Sequence, residues 1–430
     1  MRRRQRAVRP VDARTGLFIV ALAVLVGFAV WRIVSLALSD LHQASDPRQS
    51  LRWRDNQADA LIALAEQEVA SGQFDAAAVL ARRALAANPF DGRGYRVLAD
   101  VAAADGDRAA QARLIDLAVR HAPRDIPART WAAQIALQRG DAAAALHHYD
   151  RLLRVAPSTQ PTVIPAIVQL ASMPGAREAV VAELSGQPYW RPEFLRQFAR
   201  LAPSSDDLAP IFGALEQGGG LNEEEMALYL GRLVRDRRWD DAFLAWVGTL
   251  APEELARLAT PYDGGFENRS RSGSPFDWSI RPPEGIEVAV RPSPEGRGHA
   301  LWLEFLGRRA AFRDVRQLLR LQPGQSYVLQ WRSRLEELQA ARGLQWTVTC
   351  ADGRGEPLLA TAPQAGSSGW RVQQVRFAVP DDCGAEWLTL ELEARIPAES
   401  QAFGSAWFDD VRVVQLPMSA PRASVATVVH

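Results

Sequence analysis

Three segments in the C-terminal third alternate in a way that could hold a sugar. In ALWLEF and WLTLELEA a tryptophan shares one side of the pattern with a glutamate, and in SYVLQWRS a glutamine shares one with an arginine. Tryptophan rings pack on apolar ring faces, whereas carboxylate, amide and guanidinium groups bind hydroxyls. The candidate glycan contacts are Trp302, Glu304, Gln330, Arg332, Trp387 and Glu391. The alternative is that these tryptophans only pack in the core or at its rim.

Catalytic chemistry has little support in this sequence. Glu391 and Glu393 share one side of WLTLELEA, as a pair of glycosidase acids would. Two such glutamates on a strand are common without catalysis, and no nucleophile elbow, phosphate loop or metal-ligand spacing accompanies them. We therefore predict no catalytic residue and no enzyme. A glycan-modifying enzyme is the least favoured alternative.

Strands must position the sugar candidates. After Pro261 several runs alternate apolar and polar residues with period two, and turn signals such as QPGQ, ADGRG and VPDDCG separate them. One polar face per run predicts antiparallel strands, about eight of them in a two-sheet jelly roll. Cys350 ends one such run and Cys383 precedes another. In an oxidising compartment this pair predicts a disulfide, with two unpaired buried thiols as the alternative.

The N-terminal half repeats with a step of 34 residues. Glycines recur at 72, 106 and 140 and prolines at 89, 123 and 157, around alanine-rich amphipathic segments. Gly lets the chain turn between two helices, and Pro ends the second helix of each unit. The spacing predicts three helical hairpins over 58–157. Residues 158–260 lack a clean repeat but keep helical periodicity, so we predict an irregular helical continuation there.

The first 38 residues predict a membrane anchor. Six arginines crowd the first fourteen positions, and an apolar run follows from Leu17 to Leu38. About 22 residues make roughly 33 Å of helix, enough to cross a bilayer. The positive-inside rule places the N-terminus in the cytoplasm and the remainder across a bacterial inner membrane, in the periplasm. The alternative is a signal peptide cleaved near ALS at 37–39, which exports the same remainder.

The 34-residue units resemble the tetratricopeptide repeat. That resemblance implies a solenoid whose first helices line a groove for a protein partner. The positions that correspond to the family's groove are Asp59, Ile62, Glu66, Arg93, Arg96, Asp100, Thr130 and Gln134. The alternative is a merely solvated face. The formal net charge is zero, and no basic stripe with aromatics is present, so nucleic acid is not expected as a partner.

The C-terminal region resembles the galactose-binding-like jelly rolls that serve as carbohydrate-binding modules. The resemblance lies in GGFE at 264–267, LQPGQSYVLQW in the middle and GSAWFDDVRV at 404–413. It implies that a GGFE strand pairs near the DDV strand. It also implies a structural calcium at Glu267 and Asp410, with Asp409 as a further ligand. The alternative is that Glu267 and Asp410 only bind backbone groups. No cofactor is required.

These elements give one predicted organisation. Its segments are a cytoplasmic Arg-rich 1–16, an anchor 17–38, a linker 39–57, repeats 58–157, a helical continuation 158–260, a jelly roll 262–416 and a disordered tail 417–430. The combination resembles accessory proteins of bacterial exopolysaccharide assembly. It implies an adaptor that binds an envelope protein and a polysaccharide. The alternative is a purely protein-binding scaffold of a secretion or pilus machine.

Overall fold

A computed structural model of the chain describes residues 13–42, 45–218, 220–268 and 273–417. The predicted Arg-rich segment 1–16 and tail 417–430 lie almost wholly outside these residues. The described part contains fifteen α-helices. They are α1 Ala13–His42, α2 Pro47–Trp53, α3 Ala58–Ala70, α4 Phe74–Ala87, α5 Gly92–Ala104, α6 Arg108–His121, α7 Ile126–Gln138, α8 Ala142–Val155, α9 Gln160–Ala171, α10 Arg177–Ser185, α11 Arg191–Leu201, α12 Ser205–Gln217, α13 Glu223–Arg235, α14 Trp239–Val247 and α15 Pro252–Leu255.

Ten β-strands follow the helices in the described residues. They are β1 Ser279–Ile280, β2 Ile286–Pro292, β3 His299–Arg309, β4 Val315–Leu319, β5 Ser326–Ala340, β6 Gly343–Cys350, β7 Leu359–Ala360, β8 Gly366–Ala378, β9 Glu386–Glu393 and β10 Gln401–Gln415. The predicted fold class is confirmed: an apolar N-terminal helix, helical hairpins and an antiparallel β-sandwich.

The chain divides into two compact units after Glu183. The first unit holds the apolar helix α1 and the hairpins that follow it. The second unit joins α11–α15 to all ten strands. The predicted step from helices to strands near residue 260 therefore lies inside one compact unit.

Helix α1 is long and apolar enough to cross a membrane, and its side chains from Leu17 to Val34 are exposed. Its last turns pack against α2. Ser39 is fully buried and its hydroxyl lies 3.0 Å from the Ser50 hydroxyl, while Ser50 Oγ donates to the Ser39 carbonyl at 2.8 Å. Leu51 of α2 packs against the core of the first hairpin. The predicted linker 39–57 is thus largely helical and packed.

The three hairpins have the predicted 34-residue step and are α3/α4, α5/α6 and α7/α8. Each turn contains a glycine with φ near +75°, at Gly72, Gly106 and Gly140, a conformation that favours glycine. Aspartates also repeat after the second and third of these glycines. Asp107 and Asp141 accept hydrogen bonds from backbone N–H groups of the helices that they precede. Glycine and a capping carboxylate together fix where α6 and α8 begin, whereas α4 follows Gln73, which makes no side-chain cap.

The strands form two antiparallel sheets of five, in the orders β1-β4-β9-β6-β7 and β2-β3-β10-β5-β8. Period two sends alternate side chains between the sheets, so that Leu301, Leu303, Leu388, Leu390 and Trp346 join one core with Phe408 and Trp331. The jelly-roll sandwich predicted from alternation is present. Cys350 at the end of β6 is disulfide-bonded to Cys383, which precedes β9.

The GGFE segment at 264–267 is a turn, and the first strand starts only at Ser279. The expectation that GGFE forms a strand was wrong. Phe266 has a positive φ of 55° and is 2% exposed, so its ring enters the core beside Trp278. The expected closure onto DDV is present in another form, because Val411 N donates to the Gly264 carbonyl at 2.8 Å. A Cβ on Gly264 would lie 1.9 Å from the Val411 oxygen, so this approach requires glycine.

Candidate binding sites

Four of the six predicted glycan contacts lie on one surface. Trp302 and Glu304 lie on β3, and Gln330 and Arg332 lie on β5, in the same sheet. Their neighbours in sequence, including Leu301, Leu303, Leu329 and Trp331, belong to the core. The four candidates therefore face away from the core, because side chains alternate along a strand.

Two tryptophans missed by the sequence reasoning complete this surface. Trp407 on β10 lies opposite Trp302, with ring centroids 6.4 Å apart, and Trp370 on β8 packs against the same cluster. We call this surface the open face: the outer side of the sheet around Trp302, Trp370 and Trp407. The cluster that these residues form contains strand residues alone among those described, Ala289 and Ala300 included.

Arginines cover the rings of the open face. The guanidinium carbon of Arg291 lies 3.3 Å from the centre of the Trp302 ring, and that of Arg332 lies 4.9 Å from the Trp370 ring. Trp302 is 7% exposed beneath Arg291, and Trp407, whose ring neighbours that of Trp302, is 9% exposed. The buried indole nitrogens of Trp370 and Trp407 have no hydrogen-bond partner among the described residues. The open face thus presents stacked cations beside its aromatic groups, while these two indole N–H groups lie beneath the surface.

The other two glycan candidates are elsewhere, so the prediction of one shared site was wrong for them. Trp387 lies on β9, in the opposite sheet, where it packs against a cluster built with α13 and α14. The Arg316 guanidinium lies 4.7 Å from its ring. Glu391 contacts Arg313 at 3.0 Å and accepts a hydrogen bond from Gln345 at 2.9 Å. Alternation gave their side of the strand correctly, but it could not show which sheet β9 joins.

Carboxylates gather where the GGFE turn meets β10. Burial raises the pKa of Asp263 to about 6, and the charge of Glu267 adds to the rise. Burial likewise raises the pKa of Asp409 to about 6, helped by the charges of Asp410 and Glu267. The pKa of Glu267 itself is lowered, because the His299 ring and backbone N–H donate to it at 3.1 and 3.0 Å.

This cluster has the donor chemistry of a calcium site, since hard cations prefer several carboxylate oxygens. Burial is the main cause of the two raised pKa values, and the charge of neighbouring carboxylates adds to it. The side chains are at present directed to protein cations. Asp410 contacts Arg412 at 2.9 Å and Arg332 at 3.5 Å. No set of three Asp, Glu, His or Cys side chains in the described part is arranged for a metal.

The predicted groove residues mostly contact each other. Asp59 pairs with Arg93, and Arg96 pairs with Glu66. Arg96 also lies 3.7 Å from Asp100 and 3.0 Å from Asp125, the N-cap of α7. Burial raises the pKa of Asp100 even beside Arg96. These ion pairs tie α3, α5 and α7 together, so each charge already has a partner within the repeats.

The remaining predicted groove residues differ in burial and contacts. Ile62 is only 1% exposed and packs with Leu61 and Ala84, so its prediction as a groove contact was wrong. Thr130 donates its hydroxyl to the Ile126 carbonyl at 3.0 Å, as helical threonines often do. Gln134 is exposed on α7. The third hairpin therefore presents neutral polar groups where the second presents paired charges.

No protein-family model and no curated protein matches the chain. Among solved structures, a CBM4 domain matches 36% of this chain over 99% of its own length, at 14% identity and a TM-score of 0.28. The CBM22-1 xylan-binding domain of Paenibacillus barcinonensis Xyn10C matches 36% of the chain over 94% of its own, at 18% identity and 0.26. Pseudomonas aeruginosa pilF matches 52% over 91%, at 17% identity and 0.27. Similarities this low leave the binding chemistry to be argued from the residues above.

Proposed function

We propose that this chain is a non-catalytic periplasmic adaptor, anchored in the bacterial inner membrane, that binds a polysaccharide through its open face. The helical hairpins bind an envelope protein, and the two activities serve cell-surface polysaccharide assembly or export. The observation that carries the proposal is the convergence of Trp302, Trp370 and Trp407 on one outer sheet face whose aromatic cluster includes no helix residue among those described. Aromatic groups ringed by fixed polar groups are what a sugar site needs.

The glycan half is tested with the full chain in detergent against a panel of neutral and acidic polysaccharides. Trp370→Ala should weaken retention about five- to a hundredfold, if stacking on its ring contributes the about 1–3 kcal/mol that it does for nucleic-acid bases. Trp53→Ala is a matched control, since Trp53 is an exposed tryptophan on α2, far along the chain from the sandwich. Equal retention by wild type and Trp370→Ala across the panel would remove the glycan half.

The protein half is tested by crosslinking in cells. A photo-crosslinking residue at Gln134 lies on the exposed side of α7, and one at Arg120 on α6 is the control. We expect Gln134 to capture a component of a polysaccharide synthase or exporter, and Arg120 to capture little. Capture of secretion or pilus components instead would support the rival scaffold. The covering of Trp302 and Trp370 by arginines is the observation that favours that rival.

We also propose that Glu267, Asp409 and Asp410 hold a calcium ion, which would supply positive charge to this carboxylate cluster. Calorimetric titration with calcium should show binding in wild type and none in a Glu267→Gln, Asp410→Asn variant. Affinity should fall as the pH drops through about 6, because Asp409 then takes up a proton. An unchanged melting temperature with calcium and with chelator would count against the ion.

The absence of catalysis is part of the proposal. Glu391 and Glu393 each contact an arginine, Arg313 at 3.0 Å and Arg342 at 3.4 Å. Both carboxylates are therefore already paired with cations of the chain itself, whereas the two acids of a glycosidase flank the bond that they cleave. Release of reducing ends from any panel polysaccharide, abolished by Glu391→Gln, would overturn this part.

A further inference from the structure

We infer that the open face selects polysaccharides that carry carboxylate groups and that Arg291 is the residue that sets this preference. The inference rests on the proposed glycan binding and adds the ligand class to it. It depends on which charges of the open face are already neutralised.

Three arginines lie next to the tryptophans of the open face, and two of them have acidic partners. Arg332 contacts Glu295 at 2.7 Å and lies 3.8 Å from Asp409. Arg334, which is opposite Trp407 in the register, contacts Glu336 at 2.8 Å. Arg291 on β2 is exposed and has no ion pair among the described residues. It is therefore the unpaired arginine in contact with a tryptophan of the open face, where a ligand can reach it.

Stacking fixes how Arg291 would meet that ligand. With its central carbon 3.3 Å from the Trp302 ring centre, the guanidinium plane must lie flat against the indole. Its N–H groups then point outward along that plane. A planar fork of donors held in this way matches the two oxygens of a carboxylate.

The same contact disfavours a neutral sugar at this position. A sugar that stacks on Trp302 would have to displace Arg291, because Trp302 is already 93% covered, being 7% exposed. A carboxylate-bearing unit keeps the stack intact and binds to its edge. The ligand that leaves the existing contacts in place is therefore the acidic one.

Acidic groups also occur on this side, and their placement matters. Glu287 and Glu304 are direct cross-strand neighbours on β2 and β3. Glu287 is four residues from Arg291 along one strand, which is about 13 Å. Charges at that separation are largely screened at physiological salt, where the Debye length is about 8 Å. These two glutamates can accept hydrogen bonds from hydroxyl groups of neighbouring sugar units without repelling a carboxylate bound at Arg291.

The test compares polygalacturonate, alginate and hyaluronate with their carboxyl-reduced neutral forms, using the full chain in detergent. Wild type should bind at least one acidic polymer about tenfold or more tightly than its reduced form. Arg291→Gln should lose about ten- to a hundredfold on that acidic polymer and nothing on the reduced one, as expected for one charge-assisted pair of hydrogen bonds. Arg291→Lys should recover only part, because it keeps the charge but not the planar fork.

Arg371→Gln is the matched control, since Arg371 is an exposed arginine of the same sheet, on β8, and its loss changes the net charge equally. Equal losses for both variants would indicate nonspecific attraction and overturn the inference. Tighter binding of neutral polymers by Arg291→Gln would also overturn it, because Arg291 would then block a sugar from stacking on Trp302. Binding that ignores the carboxylates but needs Trp370 leaves the proposed function standing alone. Binding to none of the polymers by any variant defeats both.

Discussion

The two outer faces of the sandwich differ in what covers them. The face of β4 and β9 is covered by the chain's own helices: Leu318, Ala385 and Trp387 pack with Leu230 and Trp246 of α13 and α14. Arg320 and Asp240 link the two layers at 2.6 Å. On the other sheet, the aromatic groups of the open face pack, among the described residues, with strand alanines and with each other, and arginines lie over Trp302 and Trp370. Both outer faces carry tryptophans at strand positions that alternation assigns to the polar side. In this sandwich each of these tryptophans is covered by other side chains. Which residues cover it is decided by tertiary structure and cannot be read from the strand itself.

The largest effect should come from removing the cover. A fragment of residues 262–416 lacks α13–α15 and exposes Leu318, Ala385 and Trp387, whereas a fragment of 184–417 retains them. Fully burying side chains of this size contributes about 1.5–3 kcal/mol each, a sum comparable to the stability of a domain. We expect the short fragment to aggregate or to unfold without cooperativity.

Near-ultraviolet circular dichroism and thermal unfolding of the two fragments measure this. Equal melting temperatures would show that the helices do not stabilise the sandwich. The two outer faces would then be alike in needing no cover.

Single tryptophans should separate the faces next. Trp246 is 2% exposed under the covered face, so Trp246→Ala should lower the free energy of unfolding by about 3–5 kcal/mol. Trp370 is half-buried on the open face, and Trp370→Ala should cost about 1 kcal/mol while removing glycan retention. Urea unfolding gives both values. A Trp370 variant as unstable as the Trp246 variant would assign the open face to structure rather than binding.

A pH-dependent effect tests how dry the inner side of β9 is, the side opposite Trp387 and the helices. Glu386 on β9 is fully buried, Leu321 N donates to it at 3.1 Å, and burial raises its pKa to about 7. The folded state therefore holds this proton up to a higher pH than the unfolded state does. Its contribution to stability is complete below pH about 4.5 and disappears as the pH rises through about 7, a change of about 3 kcal/mol.

Glu386→Gln keeps an oxygen for Leu321 N but has no proton to lose. Unfolding free energies between pH 4 and 8 should therefore show a shallower decline in this variant than in wild type. Parallel curves would mean that water reaches Glu386 on the inner side of β9.

Local chemistry made much of the fold predictable. Glycines at a step of 34 gave the hairpin turns, because each adopts a positive φ that other residues rarely take. Alternation gave the strands and the inward or outward side of each candidate. The strand assigned to GGFE failed because Phe266 takes a positive φ, which no alternation signals. Ile62 failed because family correspondence gives a position on a helix and not its neighbours in the core.

The open face was only half predictable for a related reason. Its four predicted residues lie on β3 and β5, which are separated by β10 from the far end of the chain. Strand order is set by long-range pairing, so Trp407 could not be placed between them from sequence. A register shift between Asp409 and Arg412, with Asp410 at a φ of 52°, further hides the alternation of that strand. The segment AWFDD did hold the signal, because Trp407 and Asp409 flank the inward Phe408.

The joint between Ser39 and Ser50 has a mechanical meaning. With α1 as the proposed anchor, Arg32 would lie at the membrane surface, seven residues or about 10 Å of helix before Ser39. The packed contact between Ser39 and Ser50 would then hold the first hairpin close to the bilayer. A partner that also resides in the membrane would therefore meet this chain by diffusion in two dimensions, at a set height, and any pull on the hairpin would pass straight to the lipid.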